Sequence, residues 1–307
     1  MRIFDAHCDA LLKLWRDPSL TFRSSGELQV SYQGLKKAGA KVQCFAVFVP
    51  DDSIGDARFQ AALDMIDIFY EKIVRPYPEI KAVFTKEDIA NLADHEIGVM
   101  LTLEGCGPVA NDLVRLKTLI RLGIRSVGLT WNYANDLADG VLEDRQGGLS
   151  NLGKEAVMLL DSENVWTDVS HLTEAGFWDV MELTDAVIAS HSNVQALCDH
   201  PRNLNDQQIK AIINKDAVMG ITFVPYFLSD HSPVHIPEIL KHIDYVAALG
   251  GVKNIGFGSD FDGISETVIG LDRYFGYERL VNELLKHYSE EQVKGFCFNN
   301  FYDRVCF

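Results

Sequence analysis

Five side chains of metal-ligating type stand at or just beyond the ends of short apolar runs: His7, Asp9, Glu104, His171 and His191. In an extended segment His7 and Asp9 point to one face and the intervening Cys8 to the other, so an imidazole and a carboxylate converge. Neutral imidazole nitrogen and carboxylate oxygen are donors that a borderline divalent ion such as Zn2+ accepts, and a carboxylate can bridge two ions through its separate oxygens. Glu104 lies in the apolar run VMLTLEG, where ionisation is costly without a cation nearby. It is the natural bridge. Three histidines and two carboxylates suffice for two ions that each keep an open position. Such ions, roughly 3.5 to 4 Å apart, share a hydroxide that is nucleophilic at neutral pH and polarise a carbonyl oxygen. A lone histidine at a strand end is more often a hydrogen-bonded structural residue, so the weight rests on the coincidence of five donors. Cys8 and Cys106 flank the set and are expected to be small buried fillers.

These donors need a scaffold that gathers strand ends. Short β-branched runs alternate with longer amphipathic stretches along the chain, the pattern of a parallel sheet with crossover helices. Eight runs stand out, at residues 3–8, 42–49, 97–103, 124–130, 165–170, 186–190, 218–223 and 254–258. Phe59, Leu63, Ile66 and Tyr70 recur at helical spacing and predict a helix over 56–75, with others over 174–183, 206–213, 237–249 and 290–304. Residues 51–55 and 136–153 are rich in Asp, Gly and Ser and read as loops, the second long enough to shape a site. With no long linker, low-complexity segment or internal repeat, the pattern favours a (β/α)8 TIM-type barrel of metal-dependent hydrolase type, one catalytic domain spanning residues 1–307. A doubly wound open sheet is the alternative. It would carry a Gly-rich phosphate turn after the first strand, where this chain has HCDALL.

Composition narrows the partners. The 44 acidic and 28 basic residues leave a formal charge of −16, which repels a phosphate backbone, and nucleic acid is not an expected partner. An apolar content of 47% with 23% charged residues excludes a disordered tail, a coiled coil and a collagen-like chain. No run approaches the roughly 18 apolar residues of a spanning helix. Asp5, His7 and Asp9 occupy the place of a signal peptide's apolar core, so a cytoplasmic protein without a membrane partner is expected. Cysteines 8, 44, 106, 198, 297 and 306 form no CxxC pair, which excludes a zinc ribbon and suggests reduced, mostly buried thiols.

In FDAHCDAL (4–11), LTLEG (101–105), TDVSHL (167–172), ASHSNVQALCDHPRNLNDQQIKAI (189–212) and GFGSDFDG (256–263) the chain resembles the renal or membrane dipeptidases, which are binuclear zinc metallopeptidases. The resemblance extends over essentially the whole chain, and GFCFNNFYDRV (295–305) is similar to the helix that closes that family's barrel. The stretch around SHSN and HPRN is the most specific. The resemblance implies two Zn2+ ions, with His7 and Asp9 on one, His171 and His191 on the other, and Glu104 bridging. It further implies that Arg202 binds the substrate's terminal carboxylate, which its planar fork matches. Asp260 would take part in proton transfer, as a carboxylate base and acid can. Asp262 is expected only to cap the next turn through its own backbone.

One position departs from the family pattern. Where the renal enzymes place a histidine after the threonine that ends strand four, a residue thought to hold the substrate carbonyl or oxyanion, this chain has Thr130-Trp131-Asn132. An indole offers one N–H donor and a large apolar face. Asn132 or Tyr133 is then the alternative donor, and Trp131 is expected to reshape the substrate range. The resemblance implies a dipeptidase in which a carboxylate docked on Arg202 limits substrate length. A metal-dependent hydrolase of another small amide or ester, such as an N-acyl amino acid or a lactone, is the alternative that Trp131 motivates. H-x-D with Glu104, in place of H-x-H with a modified lysine, argues for the dipeptidase branch. A non-enzyme that keeps the metal site for stability would leave Asp260 and Arg202 without use. A homodimer through one barrel face stays open.

Overall fold

The computed structural model of the chain describes residues 1–24 and 26–307. Nine parallel strands among the described residues form one sheet: β1 Ile3–Asp5, β2 Ala40–Phe48, β3 Ile80–Ala82, β4 Ile97–Glu104, β5 Ile124–Gly128, β6 Trp166–Asp168, β7 Val187–Ala189, β8 Val218–Ile221 and β9 Ile255–Phe257. The order runs β2-β1-β9-β8-β7-β6-β5-β4, and β2 pairs with β4 from Val42↔Gly98 to Phe48↔Glu104, which closes eight strands into a barrel. Each of the eight expected runs supplies one barrel strand. The ninth, β3, was not anticipated. It pairs only with Ile97, Gly98 and Val99, on the edge of β4 that β5 takes over from Leu101. Three residues with an exposed lysine at the centre leave too little apolar pattern to read.

Several ladders are shorter than the apolar runs that contain them. Regular pairing of β1 stops at Asp5, but the chain stays tied to its neighbours by Ala6 N–H to Phe257 O, Cys8 O from Ala46 N–H and Asp9 N–H to Phe261 O, each 2.9 Å. The segment carrying His7 and Asp9 is therefore held above the ladder, at the C-terminal rim where barrel chemistry resides.

The helices cover the barrel largely as expected. Those at Glu174–Leu183, Asp206–Asn214 and Ile236–Ala248 agree with the reading to within a residue. The stretch from 56 to 75 is an α-helix over Ala57–Ile68 that continues as a π-helix over Phe69–Val74. Its buried stripe is Ala61, Ala62, Met65, Ile66, Phe69 and Ile73, so of the four expected positions only Ile66 is fully buried. At the C-terminus, Glu290–Lys294 passes through a π-turn, Gly295–Asn299, into Asn300–Asp303. Phe298 and Phe301 pack with the barrel-interior residues Phe4, Met100, Trp166 and Ile188, and Phe301 stacks on Phe4 at 5.2 Å. This plug seals the end opposite the rim.

The loop expected over 136–153 ends three residues early, because Ser150 caps a helix at Asn151–Ser162 by accepting from Gly153 N–H. The remainder packs on the strand-six end, with Val141 N–H donating to His171 O at 2.9 Å and Thr173 Oγ1 donating to Gly147 O at 2.6 Å.

At the top of the interior, the space beside Ser190 admits no side chain. A Cβ on either Gly220 or Gly258 would collide with the Ser190 carbonyl oxygen. Overpacking a filled interior costs about 1–3 kcal/mol or more. Gly258→Ala is expected to lower the melting temperature measurably and to weaken divalent-metal binding as well, because His191 follows Ser190; calorimetric unfolding and metal titration of the variant check both.

Candidate metal centre

His7 and Asp9 meet as strand alternation predicts, with Cys8 between them bridged to Phe261 and packed in the core on the other face. Asp9 stands at the N-cap position of the helix Ala10–Arg16 without a side-chain cap hydrogen bond, which leaves its carboxylate free to face His7, with Oδ2 3.4 Å from Nε2. Glu104 ends β4 and is 9% exposed. Its Oε2 lies 3.4 Å from His7 Nε2, while its Oε1 lies 2.8 Å from His171 Nε2 and 3.8 Å from His191 Nε2. The two latter Nε2 atoms are 2.9 Å apart, and Asp260 Oδ1 is 3.9 Å from His7 Nε2. The Glu104 carboxylate thus divides the cluster, with His7, Asp9 and Asp260 toward one oxygen and His171 and His191 toward the other. Donors about 2.0–2.2 Å from a tetrahedral ion stand roughly 3.3–3.6 Å from each other. The observed separations bracket that edge length.

Neighbouring groups fix which ring nitrogens face the cluster. Asp168, the last residue of β6, accepts from the hydroxyls of Ser170 (2.6 Å) and Ser190 and from both their backbone N–H groups at 3.0 and 2.9 Å. Each hydroxyl spends its one proton on that carboxylate. The 2.7 Å contact between Ser190 Oγ and His191 Nδ1 must then be donated by the ring, which leaves Nε2 as a lone pair aimed inward. At His171 the Asn132 side-chain oxygen lies 2.9 Å from Nδ1 and imposes the same tautomer. Asn132, expected to meet substrate, holds a candidate ligand through its oxygen. Asp168 was not anticipated; its signal was a carboxylate inside the apolar strand end TDVSHL.

The charge balance calls for cations. Burial lowers the His171 pKa to about 4, aided by the Arg202 charge, and holds His191 well below 6.5, so both rings are neutral imidazoles at neutral pH. At His7 burial also opposes protonation, but Glu104 and Asp9 outweigh it and raise the pKa well above 6.5. Burial works against ionisation of Glu104 too, yet His7 and His171 bring its pKa below the ordinary value. Asp9 and Asp260 are raised, chiefly by burial and partly by neighbouring carboxylates. His7 Nε2 and Asp9 Oδ1 are buried without a hydrogen-bond partner. Buried donor atoms of this kind, with neutral imidazoles and crowded carboxylates beside them, fit divalent metal ions.

The remaining candidates border the same cavity. About 140 Å3 in volume, it is bounded by Asp9, Glu104, Trp131, His171, Arg202 and Asp260. That is small against the roughly 300–1,000 Å3 of typical ligand pockets. Arg202 is 3% exposed, donates from Nη2 to His191 O at 3.1 Å, and lies over the Phe227 ring at 5.5 Å. Its Nε and Nη1 are buried without an acceptor. Burial lowers its pKa to about 10, which still leaves a cation. Asp260 sits in the left-handed region (φ 61°), and a Cβ on Gly263 would collide with both Asp9 and Asp260 carboxylates, so only glycine there lets them converge. Asp262 does not cap its own turn. Its carboxylate accepts from Gln29 N–H (2.8 Å) and Val30 N–H (2.9 Å) and pairs with Lys13 Nζ at 3.0 Å, anchoring a distant segment beneath the rim. Tyr133 lines a separate cavity behind Trp131. Cys8 and Cys106 are fully buried, as expected of fillers.

The sequence profile of the membrane dipeptidase family (peptidase family M19) matches residues 1–306. A protein from Klebsiella pneumoniae, an uncharacterized protein in the pqqA 5′ region, is 31% identical over 252 residues, covering 72% of this chain and 93% of its own length. The crystal structure of dipeptidase AC, a metallo peptidase of family M19, superposes with a TM-score of 0.93 at 26% identity, covering 99% of this chain and 98% of that one. A metallo peptidase from Rhodobacter sphaeroides, liganded with a phosphinate mimic of the dipeptide L-Ala-D-Ala, gives 0.93 at 25% identity with the same coverage.

Two outcomes follow from the geometry. Asp168→Ala frees both serine hydroxyls and the His191 tautomer, so metal affinity should fall about 10- to 100-fold with the fold retained, read by chelator competition. Because His7 has a raised pKa and a metal needs its free base, loading of metal-stripped protein should release protons near neutral pH and strengthen as pH rises. Calorimetric titration in buffers of different ionisation enthalpy measures that release.

Proposed function

The chain belongs to the membrane dipeptidase family, peptidase family M19, and from that premise we propose that it hydrolyses dipeptides bearing a free C-terminal carboxylate at a centre of two zinc ions. His7 and Asp9 would hold one ion, His171 and His191 the other, with Glu104 between them through its two oxygens. Bound there, the ions would polarise the scissile carbonyl and make a water nucleophilic at neutral pH.

The carrying observation is Arg202, a buried guanidinium with two unsatisfied nitrogens bordering the cavity that Asp9, Glu104 and His171 of the donor cluster also line. An unpaired buried cation is costly, and a carboxylate accepting from it removes that cost through charge-assisted bonds. With the terminal carboxylate on Arg202, the adjacent peptide carbonyl would lie in the cavity that Glu104 also lines. The guanidinium lies over the Phe227 ring, 5.5 Å from its centroid. Asp260, raised in pKa and within 3.9 Å of His7, would accept the proton of the attacking water and return it to the leaving amine. Asn132, Ser190 and Asp168 keep the two rings in register. The liganding of the Rhodobacter relative by a dipeptide mimic supports the substrate class.

A panel of dipeptides assayed with added zinc and with chelator tests this reading. Metal-stimulated hydrolysis is expected, and its absence for every dipeptide overturns the proposal. Arg202→Ala should raise KM for dipeptides about 100-fold, in the range for losing a hydrogen-bonded partner of a buried charge, and C-terminal amidation of the substrate should produce a similar loss. Asp260→Asn should lower kcat about 100- to 10,000-fold with KM little changed.

A further inference from the structure

Two cavities meet at Trp131. The larger, about 140 Å3, is lined by Asp9, Glu104 and His171 of the donor cluster and by Arg202; the smaller, about 40 Å3, lies among Val49, Arg58, Gly107 and Tyr133. Trp131 and Glu104 border both. Glu104 is committed to the floor of the site, which leaves the indole as the wall between the two spaces.

That wall is fixed in place. The Trp131 ring packs on Phe48 at 5.3 Å and meets Tyr133 edge-on at 6.5 Å. Its backbone is wedged between two glycines. At Gly105 (φ +81°) a Cβ would stand 3.2 Å from Trp131 N, and at Gly140 a Cβ would collide with the Trp131 carbonyl oxygen. The backbone that carries the indole cannot shift without moving β4 and the loop behind it.

The order of strands round the barrel gives the orientation. Phe48 ends β2, Glu104 ends β4 and Trp131 follows β5, while Arg202 follows β7, Phe227 follows β8 and Asp260 follows β9. Phe48 and Trp131 therefore lie across the cluster from Arg202 and Phe227. A substrate whose carboxylate is on Arg202 presents its other end, the N-terminal residue, to the indole.

We propose that Trp131 limits the size of the substrate's N-terminal side chain, admitting small residues and excluding large ones from the second cavity. The inference rests on the dipeptidase reading and deepens it. A rigid aromatic wall against a small pocket discriminates by volume, and one methylene in such a pocket is worth roughly 10- to 200-fold in kcat/KM.

The test is kcat/KM of the zinc-loaded enzyme for Ala-Ala, Val-Ala, Leu-Ala and Phe-Ala, and for the reversed series Ala-Val, Ala-Leu and Ala-Phe, with Trp131→Ala and Trp131→Phe beside the native chain. Metal content and melting temperature are measured on each. The native enzyme should prefer Ala-Ala over Phe-Ala by about 10-fold or more. In Trp131→Ala the Phe-Ala to Ala-Ala ratio should rise at least about 10-fold, with Trp131→Phe in between and the ranking of the reversed series unchanged. An unchanged ratio in both variants, or a shift confined to the reversed series, overturns the inference while leaving the dipeptidase reading intact. Hydrolysis of no member by the native enzyme would instead sink that reading and this inference together. Should Trp131→Ala fail to fold, the ratio in Trp131→Phe decides.

Discussion

A carboxylate buried at the rim of a barrel, with an imidazole against each of its oxygens, is the constraint from which the rest of this structure follows. Glu104 cannot stay ionised in that position without positive charge close by, because burial removes the water that would otherwise stabilise it. The neighbours reflect this. His7 gains basicity from it, His171 and His191 are kept neutral, and the nearby Asp9 and Asp260 are pushed toward their protonated forms. An arrangement of this kind is poised for divalent ions and ill-suited to any role in which the carboxylate stands alone.

The barrel delivers that arrangement by gathering the five donors from four strand ends, His7 and Asp9 both from β1, and a second set of groups refines it. The Asp168 carboxylate links β6 to β7 by taking four hydrogen bonds from two serines, and one of those serines sets the ring of His191. Asn132 does the same for His171 from the loop after β5. Arg202 is tied to the backbone carbonyl of His191 itself. The proposed anchor for a substrate and a candidate ligand for a metal are thus tied directly to each other, which is how a binding site obtains close placement without relying on mobile loops.

What could be read from the sequence was whatever left a periodic or chemical mark on it. The eight apolar runs were legible because strands buried on both faces are continuously apolar, and the five donors because polar residues interrupt those runs at their ends. β3 was not legible, since three residues with a central lysine carry no period. The π-helical continuations at Phe69–Val74 and Gly295–Asn299 were invisible because they change residues per turn without changing composition, and the first shifts the buried stripe off the positions a regular helix would give. The convergence of His7 and Asp9 was legible as well, because alternation about Cys8 sends both to one face while Cys8 enters the core on the other. The partners of Asn132 and Asp262 lie 39 and more than 230 residues away, and no local rule reaches so far.

The two glycines packed on the Ser190 carbonyl carry an evolutionary implication. Any residue larger than glycine at Gly220 or Gly258 meets backbone, not a movable side chain, so the floor beneath His191 offers drift nowhere to go. Divergence among descendants of this chain has to be spent instead on exposed positions near the mouth, such as Tyr133 and Tyr226. The fold separates an inheritance that must be copied faithfully from a surface on which new tastes can be tried.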